Sequence, residues 1–119
     1  MSMLILALTL QLVAVSGPCD NAQNTVELED CLTRELDSLN LEIREVVSRI
    51  EERFEERSWY RRRVLYDRAQ RAWTLYRDLE CESESAEFEG GSIAGVAALQ
   101  CHLSVTEARL TELRDAYLY

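Results

Sequence analysis

Past Gly17-Pro18 this chain has almost nothing with which to turn: the remaining breakers are Gly90, Gly91 and Gly95. A sheet protein of this size needs a turn about every 8–12 residues, marked by Gly, Pro, Asn or Asp. No such series of turns exists here, so an all-β sandwich or barrel is excluded. Apolar residues instead recur at alternating intervals of three and four, the period of a helix face. The expectation is an all-α fold, and 119 residues support one domain of ordinary size.

Three helices are predicted. The first runs from about Thr25 to Arg57, with Asn24 as its cap and Glu27 placed for a capping box. Its apolar stripe is Leu32, Leu36, Leu39, Ile43, Val46, Ile50 and Phe54. The second runs from about Ser58 to Glu82 and carries two adjacent stripes. One is Leu65, Ala69, Ala72, Tyr76 and Leu79; the other is Tyr66, Gln70, Trp73 and Arg77. A helix touching one neighbour needs a single stripe, so two predict a central position for this helix. An acidic connection, Glu82 to Gly91, leads through Gly90-Gly91 to Ser92, a candidate cap for a third helix over about Ile93–Ala116. The third stripe is Val96, Leu99, Leu103, Thr106, Leu110, Leu113 and Tyr117, interrupted chemically only by Thr106. Ser104 with Glu107 marks a possible internal break. Short connections give an antiparallel, up-down-up bundle with a long first hairpin.

Residues 1–17 read as a signal peptide and residues 18–119 as the mature domain. Met3–Val15 is an uncharged run, shorter than the about 20 apolar residues of a membrane span, and it fits the apolar region of a leader. Pro18 ahead of Cys19 departs from a lipidation motif. The protein is therefore expected to be exported, periplasmic or secreted, without a lipid anchor. An oxidising compartment favours pairing of Cys19, Cys31, Cys81 and Cys101, and sequence alone allows three connectivities. The absence of CxxC speaks against a zinc ribbon or a thioredoxin-like motif.

Little in the chain can carry catalysis. His102 is the single histidine, and no Ser/His/Asp or Cys/His set can be built around it. Leu99 stands where a helical carboxylate metal site would need Glu, three residues before His102. No glycine-rich phosphate loop is present. The expectation is a non-enzyme with no cofactor and no metal. A formal charge of −9 argues against nucleic acid. Arg57, Arg61, Arg62 and Arg63 lie close to Glu51, Glu52, Glu55 and Glu56, which neutralise them. Glu80, Glu82, Glu84, Glu87 and Glu89 have few arginines nearby and form the candidate surface for a cationic protein partner. Folding the first two helices about residue 57 also sets Asp37 level with Arg77 and Asn40 level with Trp73. That predicts a polar seam between them, most simply a buried pair fixing their register.

Cys19, Ala22, Thr25, Glu27 and Cys31, then Asp37-x-x-Asn40, then AQRAW-x-x-YR-x-x-x-C over Ala69–Cys81 form a longer pattern. Gly90-Gly91-Ser92, Cys101 and Leu103-x-x-Thr106-x-x-Arg109-x-x-x-Leu113 complete it. Together they resemble the lysozyme inhibitor LprI N-terminal domain family over nearly all of the mature chain. The resemblance implies a small exported helical domain with disulfides that binds and inhibits lysozyme, a cationic muramidase. It also implies Asp37, Asn40, Gln70, Trp73, Arg77 and Arg109 as the family-like polar and aromatic set, read mainly as scaffold. The expected function is thus an envelope or periplasmic lysozyme inhibitor that occludes the enzyme's cleft. The alternative is a non-catalytic structural or interaction module of the bacterial envelope. The expected pairing is Cys19–Cys31 with Cys81–Cys101. Cys31–Cys81 with Cys19–Cys101 remains open, because the hairpin arithmetic sets residues 31 and 81 at one level.

Overall fold

The computed structural model describes residues 17–119, so the leader reading falls outside the described residues except at Gly17. The described residues form three helices: α1 (Thr25–Arg57), α2 (Tyr60–Ala86) and α3 (Ala94–Tyr117). At 1.5 Å per residue, the 33 residues of α1 extend about 50 Å.

α1 starts where its sequence says it should. Asn24 Oδ1 accepts a hydrogen bond from the Glu27 N–H (2.9 Å), and Glu27 Oε2 accepts one from the Gln23 N–H (2.9 Å). The first bond satisfies a donor that the first turn leaves without an intrahelical partner, and the second ties the residue before the cap to that turn. The helix stops at Ser58, which adopts the left-handed conformation (φ 54°, ψ 33°). Two residues later the chain is helical again, so α1 and α2 join through a tight elbow.

α2 and α3 depart from expectation at their ends. α2 opens at Tyr60 rather than Ser58 and continues to Ala86, four residues past the expected stop. Glu82 and Glu84 therefore stand on helix, and the true connection is short, with Gly90 at φ 81° supplying its left-handed turn. Ser92 does not cap α3; the cap position is Ile93, with no side-chain hydrogen bond. Instead Ser85 Oγ donates to the Ala94 carbonyl (3.0 Å), tying the end of α2 to the start of α3. No break occurs near residue 104.

The central helix is α3, not α2. Both α1 and α2 pack along α3 and hardly touch each other. The reason lies in charge: α3 holds only five charged residues among its 24 positions, fewer than either neighbour. It can therefore be flanked by helices on two sides without burying charge. Leu39, Ile43, Val46, Ile50 and Phe54 of α1 pack with Leu110 and Leu113 of α3 and Tyr66 of α2 in one core cluster, and Leu32, Val96 and Thr106 are buried as well. On α2 only the stripe Tyr66, Gln70, Trp73, Arg77 turns toward α3, while Leu65, Ala69, Ala72, Tyr76 and Leu79 are exposed.

At the elbow all three helices converge on an aromatic cluster. Ring centroids of Phe54 and Tyr66 lie 5.2 Å apart, Phe54 and Tyr117 5.9 Å, and Tyr66 and Tyr117 5.0 Å, with the latter two pairs edge-to-face. Two arginines take up the carbonyls at the end of α3. Arg53 Nη1 donates to the Tyr117 and Tyr119 carbonyls (3.0 Å each), and Arg62 Nη2 donates to Ala116 O (2.9 Å). Cations there also complement the negative end of the helix dipole.

At the opposite end the disulfides are Cys19–Cys31 and Cys81–Cys101, as expected, and not the alternative pairing. The first folds the strap ahead of α1 back onto that helix. The second joins α2 to α3 beneath the acidic turn, and both its residues are buried. Gly95 leaves room for the Glu29 carboxylate: a Cβ at that position would lie 2.5 Å from Oε1, and the flexible side chain would have to swing aside.

Candidate partner-binding surface

The helix order separates charge along the molecule. The disulfide end, residues 17–37 and 78–107, holds thirteen acidic residues and one arginine, Arg34, a net charge of −12. The elbow end, residues 38–77 and 108–119, holds nine acids and twelve arginines, a net charge of +3. The up-down-up path stacks two separate acidic stretches at one end, the strap with the start of α1 and the end of α2 with its turn, and adds Glu107 of α3.

The predicted glutamates sit within this end in different settings. Glu80 is half-buried on the side of α2 near α3, Glu82 and Glu84 are exposed on the last turns of α2, and Glu87 and Glu89 are exposed in the connection. Glu84 and Glu87 line one wall of a concavity of about 430 Å³, with Gln100, Ser104 and Val105 of α3 opposite and Phe88 at its rim. A second concavity of about 360 Å³ lies under the strap, between Asn21, Glu27, Asp30 and Arg34. Carboxylates at the C-terminal end of α2 oppose the helix dipole.

Phe88 escaped the sequence reading. It stands between Glu87 and Glu89, 41% exposed, with Ile93 also exposed nearby. An aromatic ring ringed by carboxylates is the local composition of a binding anchor: apolar area at the centre and charge around it. The signal was present in the run EFEG, where the single large apolar residue of an acidic connection has no helical stripe to join.

The polar seam exists, but between α2 and α3. The Asp37–Arg77 pair is not formed: Asp37 is exposed on α1, and Arg77 pairs with its neighbour Asp78 (2.9 Å) and lies 5.0 Å over the Trp73 ring. Gln70 Oε1 accepts from Arg109 Nε (2.8 Å), and Arg109 Nη1 reaches Glu112 (3.1 Å). Asn40 is half-buried on α1 and does not share this network. The hairpin arithmetic failed because it assumed that consecutive helices are neighbours, whereas α3 lies between them. Four of the six seam residues, Gln70, Trp73, Arg77 and Arg109, are thus brought together, and Asp37 and Asn40 are not.

His102 is half-buried on α3. Burial and, secondarily, the Arg77 guanidinium hold its pKa below the ordinary imidazole value, with Asp78 opposing them, so the ring is neutral at pH 7. Cys81 and Cys101 are oxidised and offer no thiolate. Among the described residues no group of three or more His, Cys, Asp or Glu side chains could hold a metal ion. No helix among them is long and apolar enough to cross a membrane.

The described residues form a small helical domain, stapled twice at its acidic end and polarised in charge. Its sequence matches the family model described as lysozyme inhibitor LprI over residues 18–113, and the chain belongs to that family. That description is inhibitory rather than catalytic. No curated protein and no solved structure matches the chain.

Proposed function

We propose that this protein is an exported lysozyme inhibitor that binds the cationic enzyme through its disulfide end and occludes the cleft. The observation that carries this reading is the −12 charge of the disulfide end, which also exposes Phe88 between Glu87 and Glu89, on a frame held by two disulfides. Family membership supplies the partner class. Opposite charge speeds encounter and sets orientation, and the ring and the walls of the adjoining concavity provide apolar area for the final fit. The disulfides hold the carboxylates in place before contact, which lowers the ordering cost of binding.

Export is supported by the same disulfides, which persist in oxidising compartments. Pro18 ahead of Cys19 and the pairing of Cys19 with Cys31 support an unanchored form. The half-buried polar set around Gln70, Trp73, Arg77 and Arg109 serves as scaffold.

The test is inhibition of lysozyme by the oxidised, exported protein across a salt series. Inhibition is expected at low ionic strength and should weaken as salt screens the exposed carboxylates. Replacing Glu84 and Glu87 together by Arg, or Phe88 by Ala, should reduce potency by about tenfold or more while circular dichroism stays unchanged. Unaltered lysozyme activity at low salt and large molar excess of the wild-type protein would sink the proposal.

A further inference from the structure

α2 leaves a long apolar face without a partner. Leu65 is 51% exposed, Leu75 61%, Tyr76 56% and Leu79 58%, and Ala69 and Ala72 between them are exposed as well. A contiguous exposed apolar stripe along about four helical turns marks an interaction surface rather than scattered surface residues. We propose that this stripe is the interface of a symmetric homodimer, in which α2 of one protomer packs antiparallel against α2 of a second copy.

The stripe is self-complementary about Ala72. When two copies of the helix run antiparallel with Ala72 opposite Ala72, residues whose numbers sum to 144 face each other. Leu65 then meets Leu79, Ala69 meets Leu75, and Arg68 meets the ring of Tyr76, each contact occurring twice as a twofold axis requires. The small side chains lie at the crossing point, where the helix axes come closest, and the bulky ones lie outward. Arg68 over Tyr76 is a cation–π contact of the kind α2 already makes within one chain between Arg77 and Trp73.

Charge selects both the occupant and the direction. The first half of α2 carries Arg61, Arg62, Arg63, Arg68 and Arg71, and its last turns carry Glu80, Glu82 and Glu84. The antiparallel register brings exposed Arg61 to the level of Ser83, between Glu82 and Glu84. At molecular scale it lays the −12 end of each copy beside the +3 end of the other. A parallel arrangement would stack the two acidic ends together. A second copy of this chain is therefore matched to the stripe in shape, in apolar pattern and in charge. The proposal is independent of lysozyme binding.

The test is the solution mass of the exported protein with both disulfides formed, by sedimentation equilibrium over a concentration series. A mass approaching twice that of the chain is expected. Ala72→Glu and Leu79→Glu each place a carboxylate inside the interface, at positions exposed in the single chain. Each should raise the dimer dissociation constant about tenfold or more with unchanged circular dichroism. Ala72→Cys should give a covalently linked dimer under mild oxidation, while Arg71→Cys, one residue off the stripe, should not. A wild-type chain that stays monomeric to high micromolar concentration would overturn the proposal. So would a dimer insensitive to both carboxylate substitutions, or equal cross-linking at positions 71 and 72.

Discussion

Thr106 is fully buried in the middle of α3, and its hydroxyl has no hydrogen-bond partner. An unpaired buried hydroxyl costs about 1–3 kcal/mol relative to a satisfied one. Valine has nearly the same shape and the same β-branch. Thr106→Val should therefore raise the unfolding free energy by about 1 kcal/mol, read from denaturant midpoints at constant slope. Tyr66 is also buried with its hydroxyl unpaired, and burial, aided by Glu51, pushes its pKa up to about 12. The unfolded chain loses that proton near pH 10 while the folded chain holds it. The stability contribution is complete below pH 10 and is lost as pH rises toward 12. Tyr66→Phe should remove a tyrosinate absorbance transition near pH 12 and flatten the fall of stability across that window. Thr106 was visible in the sequence as the polar residue in an apolar stripe. That its hydroxyl lacks a partner was not, because partners come from neighbouring helices.

At the scale of the element, the helices were legible where local chemistry decides and illegible where packing does. Asn24 and Glu27 announce the start of α1 because capping is completed within four residues. The end of α2 was misread, because the acidic run Glu82 to Glu89 has no breaker before Gly90 and the disulfide from Cys81 to α3 supports the extra turn. Ser58 shows the cost of a tight elbow: it is the only non-glycine residue with positive φ among the described residues. Left-handed backbone is unfavourable by about 1–2 kcal/mol for a residue with a Cβ. Ser58→Gly should raise the thermal midpoint, with a gain of about 0.5–1 kcal/mol after the added chain entropy of glycine is subtracted. An unchanged or lowered midpoint would show that the elbow is not strained. Of the two stripes on α2, the sequence marks both as apolar or mixed. Only the position of α3 decides that Tyr66–Arg77 is covered and Leu65–Leu79 is left open.

For the molecule as a whole, the order of the helices turns an ordinary acidic composition into a polarised one. Carboxylates that stand far apart in sequence, at Asp20, Asp30, Glu84 and Glu107, share one end because the chain runs up, down and up. The field of that end is the basis of the steering proposed above, and the arginines of the elbow are partly occupied with structure, holding the carbonyls of α3 and stacking on Trp59 and Tyr117. The pairing of the cysteines was the expected one, and the structure decided it against the open alternative. From sequence alone came the all-helical class, the helix faces of α1 and α3, the family pattern and the acidic weighting of the cysteine-bearing end. Each of these rests on local periodicity, capping or chain order, which are properties of neighbours along the chain. Tertiary structure alone decided that α3 is the central helix, that the seam runs from Gln70 to Arg109 rather than from Asp37 to Arg77, and that one face of α2 is unpartnered. These depend on which helices touch, and that is set by the net burial of whole faces: the helix with fewest charges loses least by being flanked on both sides.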